Sequence, residues 1–170
     1  MATTPTSLAL RLMGQEACTD GLVVQGASAQ FVAIPAGTTT LTMVRATHAG
    51  KLLLVASTGG LAITPLPATG TGDIYDFLVI TAISGGTFSI DAKAGAAADV
   101  FMGGLYGGTS GTGAVAWPTA ANSNFIQFNA TTTGGLAGTR CTIQDIATNK
   151  WMVQGTIVSS GTAATPFSNH

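Results

Sequence analysis

Glycine-bearing turn signals divide this chain into pieces too short for a long helix. They stand at 57–60 (STGG), 68–72 (ATGTG), 83–86 (ISGG), 107–113 (GGTSGTG) and 131–135 (TTTGG). Between them no window longer than about ten residues keeps the 3.6-residue apolar period of a helix. The one short exception is Leu8–Gly14, which reads either as a single helical turn or as a strand with Leu8, Leu10 and Leu12 on one side.

What lies between the turns has strand character. Residues 40–45 alternate, with Leu41 and Met43 on one face. Residues 51–55 (KLLLV) form a short apolar run that suits a strand buried on both sides. Tyr75, Phe77 and Val79 share one face of 73–81, Phe88 and Ile90 share one face of 87–91, and Ile126 and Phe128 share one face of 125–129. The clearest element is a hairpin. Residues 140–146 lead into Ala147-Thr148-Asn149, and 150–158 return with Trp151, Val153 and Ile157 on one face. Asn149 suits the positive φ of a tight turn. The alternation slips near Asp145–Ile146, which predicts a bulge. Residues 94–98 (AGAAA) and 103–113 are low in complexity and read as a loop or insertion. The pentapeptide TGGLA occurs at 58–62 and 133–137, a coincidence expected in so Gly- and Thr-rich a chain. The predicted fold is all-β, an antiparallel sandwich or barrel of jelly-roll-like kind, with 1–20 as an extended N-terminal arm and 21–170 as a single β domain.

Composition adds a second constraint. Of 170 residues, only 6 are Lys or Arg and 7 are Asp or Glu, while Gly numbers 23 and Thr and Ala 27 each. A globular domain usually carries about a quarter charged residues. A monomer uses charge to stay soluble, so a chain without it is expected to hide surface in an assembly. With hydrophobic residues at 46%, wholesale disorder is not expected. The net charge of −1 supplies no basic field for nucleic acid. No apolar run is long enough to span a bilayer, and the start MATTPTSLAL lacks the basic and long apolar regions of a signal peptide.

The residue types that carry catalysis are scarce and scattered. His48 and His170 are the only histidines, and neither has a nucleophile or orienting acid at a telling distance in sequence. His48 reads as a surface turn residue. Cys18 and Cys141 can form one disulfide but no framework, and buried reduced thiols suit them better. Asp73 and Asp76 fall on opposite faces of one strand, and no calcium loop surrounds them. Gly70-Thr71-Gly72 and Gly111-Thr112-Gly113 resemble phosphate loops only in their glycines, since no helix or Gly-Lys-Ser/Thr follows. The sequon Asn129-Ala130-Thr131 reads as a turn. These patterns predict no enzyme, no cofactor and no metal. Trp151 reads as core. Trp117, beside Pro118 and outside a clear strand, reads as an exposed interface anchor.

Two segments carry a family likeness. One is Gly59–Phe77, in which Leu66-Pro67 and small residues precede Gly70-Thr71-Gly72 and an aromatic strand. The other runs from Thr131–Gly135 through Trp151–Gly155 to Thr165-Pro166-Phe167-Ser168. Together they resemble small virion proteins of tailed bacteriophages, in particular head decoration (capsid cement) proteins. The likeness covers the C-terminal two-thirds and is weakest over the first thirty residues. It implies an all-β homotrimer on the capsid exterior, made in the host cytoplasm, whose partner is the major capsid protein. It implies no nucleic acid, membrane or catalytic residue. On that reading Leu8, Leu10 and Leu12 add a strand to a neighbour's sheet edge, while the plainer reading makes them the first core strand of their own domain. The rival reading is a receptor- or glycan-binding module of a tail fibre or spike, with aromatics around Trp117 as its contact. A small hydrolase dependent on His48 ranks third.

Overall fold

Alternation and turn chemistry account for most of what the chain builds. The computed structural model describes residues 31–108 and 113–170, and Val32–His170 form one unit by internal contacts. Residues 1–20, expected as an arm, lie outside the described residues, and so do Leu8, Leu10, Leu12 and Cys18.

In chain order the strands are β1 (Phe31–Ile34), β2 (Thr40–Thr42), β3 (Lys51–Val55), β4 (Leu61–Thr64), β5 (Ile74–Val79) and β6 (Phe88–Asp91). They continue with β7 (Val100–Gly108), β8 (Val115–Pro118), β9 (Phe125–Phe128), β10 (Arg140–Ala147), β11 (Lys150–Val158) and β12 (Phe167–Ser168). Single helical turns, α1 (Arg45–His48) and α2 (Ala92–Gly95), follow β2 and β6. The strands form a seven-stranded sheet ordered β1-β3-β5-β10-β11-β7-β8 and a five-stranded sheet ordered β12-β9-β6-β4-β2.

The all-β class is as expected, but both sheets are mixed. β3 runs parallel to β5 and β7 parallel to β11, while β4 runs parallel to both β2 and β6. Parallel neighbours need crossover connections. Here the crossovers run through strands of the opposite sheet, since β3 lies between β2 and β4, β4 between β3 and β5, and β5 between β4 and β6, which is why no long helix is required.

The inward faces follow the alternation. Tyr75, Phe77, Leu53, Ile143 and Leu105 line the large sheet with no exposed surface, and Phe88, Ile90, Ile126 and Phe128 line the small one. Phe77 meets Phe88 across the two layers with ring centres 5.8 Å apart, and Phe88 meets Phe128 at 5.2 Å. Such tilted aromatic pairs add roughly 0.5–1.5 kcal/mol each beyond their burial.

The hairpin is as the sequence predicts. Asn149 takes φ 62°, and the β10–β11 register shifts between Asp145 and Ala147. Asp145 is the last inward residue of the regular alternation, in phase with Cys141 and Ile143, and the shift follows it just before the turn.

Two expectations change. β3 is fully buried on one face only, at Leu53 and Val55, while Leu52 and Leu54 are half-buried on the other. Residues 103–108 are no loop but two-thirds of β7, held between β11 and β8. The glycines permit this: a Cβ on Gly103 would stand 2.1 Å from the Val153 carbonyl oxygen, and one on Gly107 2.5 Å from the Ile157 side chain. The two TGGLA copies have different settings, one opening β4 and the other lying in the loop before β10, as expected of a coincidence.

Candidate functional site

Few charges exist, and most are committed inside the domain. Residues 31–170 hold Arg45, Lys51, Lys93, Arg140 and Lys150 with Asp73, Asp76, Asp91, Asp99 and Asp145. Arg45 pairs with Asp73. Arg140 grips Asp76 through Nε, at 2.9 Å to Oδ1, and through Nη2. Asp91 caps α2 by accepting from the Ala94 N–H at 3.1 Å, and the Lys93 ammonium donates to the His170 carbonyl. Asp99 is wholly buried, and its Oδ2 accepts from the Ala68 N–H at 2.8 Å and from Trp151 Nε1 at 3.2 Å. Its Oδ1 and the Tyr75 hydroxyl have no partner among the described residues. Burial pushes the Tyr75 hydroxyl up to about 12. Among the described charged residues, only Lys51 and Lys150 make neither an ion pair nor a side-chain hydrogen bond.

Asp145 shows how far this goes. Its carboxylate, inward on β10 just before the bulge, reaches the 69–72 loop. There the N–H groups of Thr69, Gly70 and Thr71 donate to it at 3.1, 2.6 and 3.0 Å, and the Thr71 hydroxyl at 2.8 Å. Gly70 and Gly72 take φ 82° and 80°, which turns successive N–H groups inward as an anion nest. Burial raises the Asp145 carboxyl. The Thr69, Thr71 and Gly70 N–H groups and the Thr71 hydroxyl outweigh it and hold the group below its ordinary value. The loop whose glycines resemble a phosphate loop therefore does bind an anion, and the anion is the protein's own side chain.

The two outer sheet faces differ. That of the small sheet bears Thr40, Thr42, Ala62, Thr64, Ser89 and Gln127. That of the large sheet has three registered rows. Leu52, Asp76, Thr142, Gln154, Gly104 and Pro118 form one, and Leu54, Leu78, Arg140, Thr156, Tyr106 and Ala116 the next. The third runs Ile74, Gln144, Met152 and Met102. Its one ion pair, Asp76–Arg140, neutralises itself, and Ile74, Met102 and Tyr106 stand exposed on it. A groove of about 430 Å³ runs over Gly104 beside Tyr106, Pro118 and Met152.

Trp117 is not an exposed anchor. It lies in β8 opposite Leu105, so alternation turns it inward, and it is only 9% exposed within the core cluster. Pro118 sits in a strand because β8 is a sheet edge, where no ladder partner is lost. His48 is no surface turn residue either. It closes α1, is 7% exposed, and its Nδ1 accepts the Val44 N–H at 2.8 Å. Burial, reinforced by the Lys51 charge, holds it below its ordinary value. Cys141 is a buried free thiol pushed up by that burial. The Asn129 Oδ1 accepts from the N–H groups of Thr131, Thr132 and Thr133, closing a turn.

Among the described residues no three His, Cys or Asp side chains group as metal ligands, and no helix is long and apolar enough to cross a membrane. No family model, curated protein or solved structure matches the chain.

Proposed function

We propose that this chain is a virion structural protein, a head decoration (capsid cement) protein that binds the outer capsid surface and bridges major capsid subunits. The observation that carries the reading is the internal use of charge. Interface cores shed Lys, Glu and Asp, and a domain whose carboxylates are capped, nested or paired presents a neutral surface for dense packing. The likeness of Gly59–Phe77 and of the C-terminal segments to such proteins supports the same reading, as does the all-β fold. The mechanism is mass action. Binding the expanded lattice and not its dissociated subunits stabilises the lattice. On this reading the protein acts as a homotrimer, and Leu8, Leu10 and Leu12 supply a strand to a neighbouring sheet edge.

Cosedimentation with capsid shells stripped of the protein tests this. The full chain pellets with the shells, and a chain lacking residues 1–14 stays in the supernatant while keeping its β circular dichroism. A full chain that ignores the shells rules out the decoration role, and equal pelleting of the truncated chain rules out the strand donor.

A further inference from the structure

We infer that the hollow between Tyr106 and Arg140, on the outer face of the seven-stranded sheet, binds a neutral oligosaccharide. Tyr106 is 58% exposed. Its cross-strand neighbours on that face are Thr156 of β11 and Ala116 of β8, and the preceding outward position on its own strand is Gly104. All three are short, so the ring stands clear and its face can be reached. An exposed tyrosine face offers apolar contact to the C–H groups of a sugar ring, with a polar tip beside it.

The far side of the hollow is polar. Arg140, Thr142, Gln154 and Thr156 line it with Tyr106, in a volume of about 470 Å³, which is within the range of small-ligand sites. Arg140 lies two strands from Tyr106 in the same row, about 10 Å at the usual strand spacing. The Arg140–Asp76 pair is held bidentate, and the Thr142 hydroxyl donates to Asp76 Oδ1 at 3.0 Å. The locked pair fixes the Arg140 guanidinium at the hollow's edge, where it offers N–H donors beside the Gln154 amide and the Thr156 hydroxyl. Gln154 and Thr156 are exposed, and their side chains have no hydrogen-bond partner among the described residues. Sugar hydroxyls both donate and accept, so they match this mixed set.

Charge and desolvation choose among ligand classes. A charged ligand would compete with a pair that is already neutralised. An apolar side-chain surface would cover Arg140, Gln154 and Thr156 without satisfying them, and a buried polar group left unpaired costs affinity. A neutral polyol meets neither cost. This inference does not depend on capsid attachment, and the two fail separately.

The test is a ¹H–¹⁵N titration of the full chain with maltohexaose, laminarihexaose and chitohexaose, and with oligogalacturonate as the acidic control. At least one neutral oligomer shifts the Tyr106, Gln154 and Thr156 amides with millimolar saturation, and Tyr106→Ala weakens that binding about tenfold or more. Should Tyr106→Ala unfold, Gln154→Ala on the same hollow carries the test. Absence of shifts with every neutral oligomer, shifts confined to another face, binding only of the acidic oligomer, or undiminished binding by the folded variant would each overturn the inference.

Discussion

Thr71 donates twice to the same oxygen of Asp145, through its backbone N–H at 3.0 Å and its hydroxyl at 2.8 Å. With the Gly70 N–H at 2.6 Å on the other oxygen, the 69–72 loop is wound around a carboxylate 74 residues away in sequence. This one side chain ties the entry of β5 to the bulge of β10, since Gly72 also donates to the Asp145 carbonyl at 2.9 Å.

Asp145→Asn tests that tie. The amide keeps one acceptor oxygen and turns an NH₂ group toward backbone donors. Hydrogen bonds to charged groups contribute about 1.5–3 kcal/mol, so the variant loses about 2–3 kcal/mol in urea denaturation. Unchanged stability would show that the loop closes without the carboxylate.

Acid destabilises the fold in two stages. His48 is depressed below its ordinary 6.5, so the unfolded chain takes up that proton first. Stability is complete above pH 6.5 and falls as pH drops from there toward the lower folded value. Asp145 is depressed below its ordinary 3.8. Its contribution is present above that pH and is lost as pH falls through the still lower folded value. Denaturation midpoints measured across pH show His48→Gln removing the first stage and Asp145→Asn the second. A profile identical in all three proteins contradicts both assignments.

Gly103 holds β7 against β11. At φ 131°, with a Cβ 2.1 Å from the Val153 oxygen, alanine has no low-cost conformation there. Gly103→Ala destabilises by more than about 2 kcal/mol. Gly37→Ala, with open space around the added carbon, stays within about 0.5 kcal/mol. Equal midpoints for the two variants in urea would remove the requirement for glycine at 103.

If the chain decorates capsids as proposed, its association with the shells is expected to be insensitive to salt. Exposed charge pairs are screened within about 10 Å at 0.1 M salt, and here most charges already have internal partners. Raising salt from about 0.05 to 0.5 M changes the bound fraction less than threefold, measured by cosedimentation. A steep loss would show that Lys51 and Lys150 or residues outside the described domain bind electrostatically.

The sequence disclosed those elements whose signals are local. Tyr75, Phe77 and Val79 alternate within six residues, and Asn149 announces its own turn. β7 escaped because a strand is read from side chains, and Gly103, Gly104, Gly107 and Gly108 have none. Its identity comes from parallel pairing with β11, which follows only after β8, β9 and β10. Trp117 was misread because Pro118 argues against a strand except at an edge, and edges are set by sheet order. The partners of Asp73, Asp76 and Asp145 lie 28 to 76 residues away, and nothing local marks them. The hollow beside Tyr106 was hidden for the same reason: it gathers residues from β7, β10 and β11 that only the register brings into one face.

Copy number per particle tests the proposed capsid role most directly, by quantitative mass spectrometry of virions purified from cells that carry the gene. The account predicts a number comparable to that of the major capsid protein. A few copies per particle, or none, would contradict it.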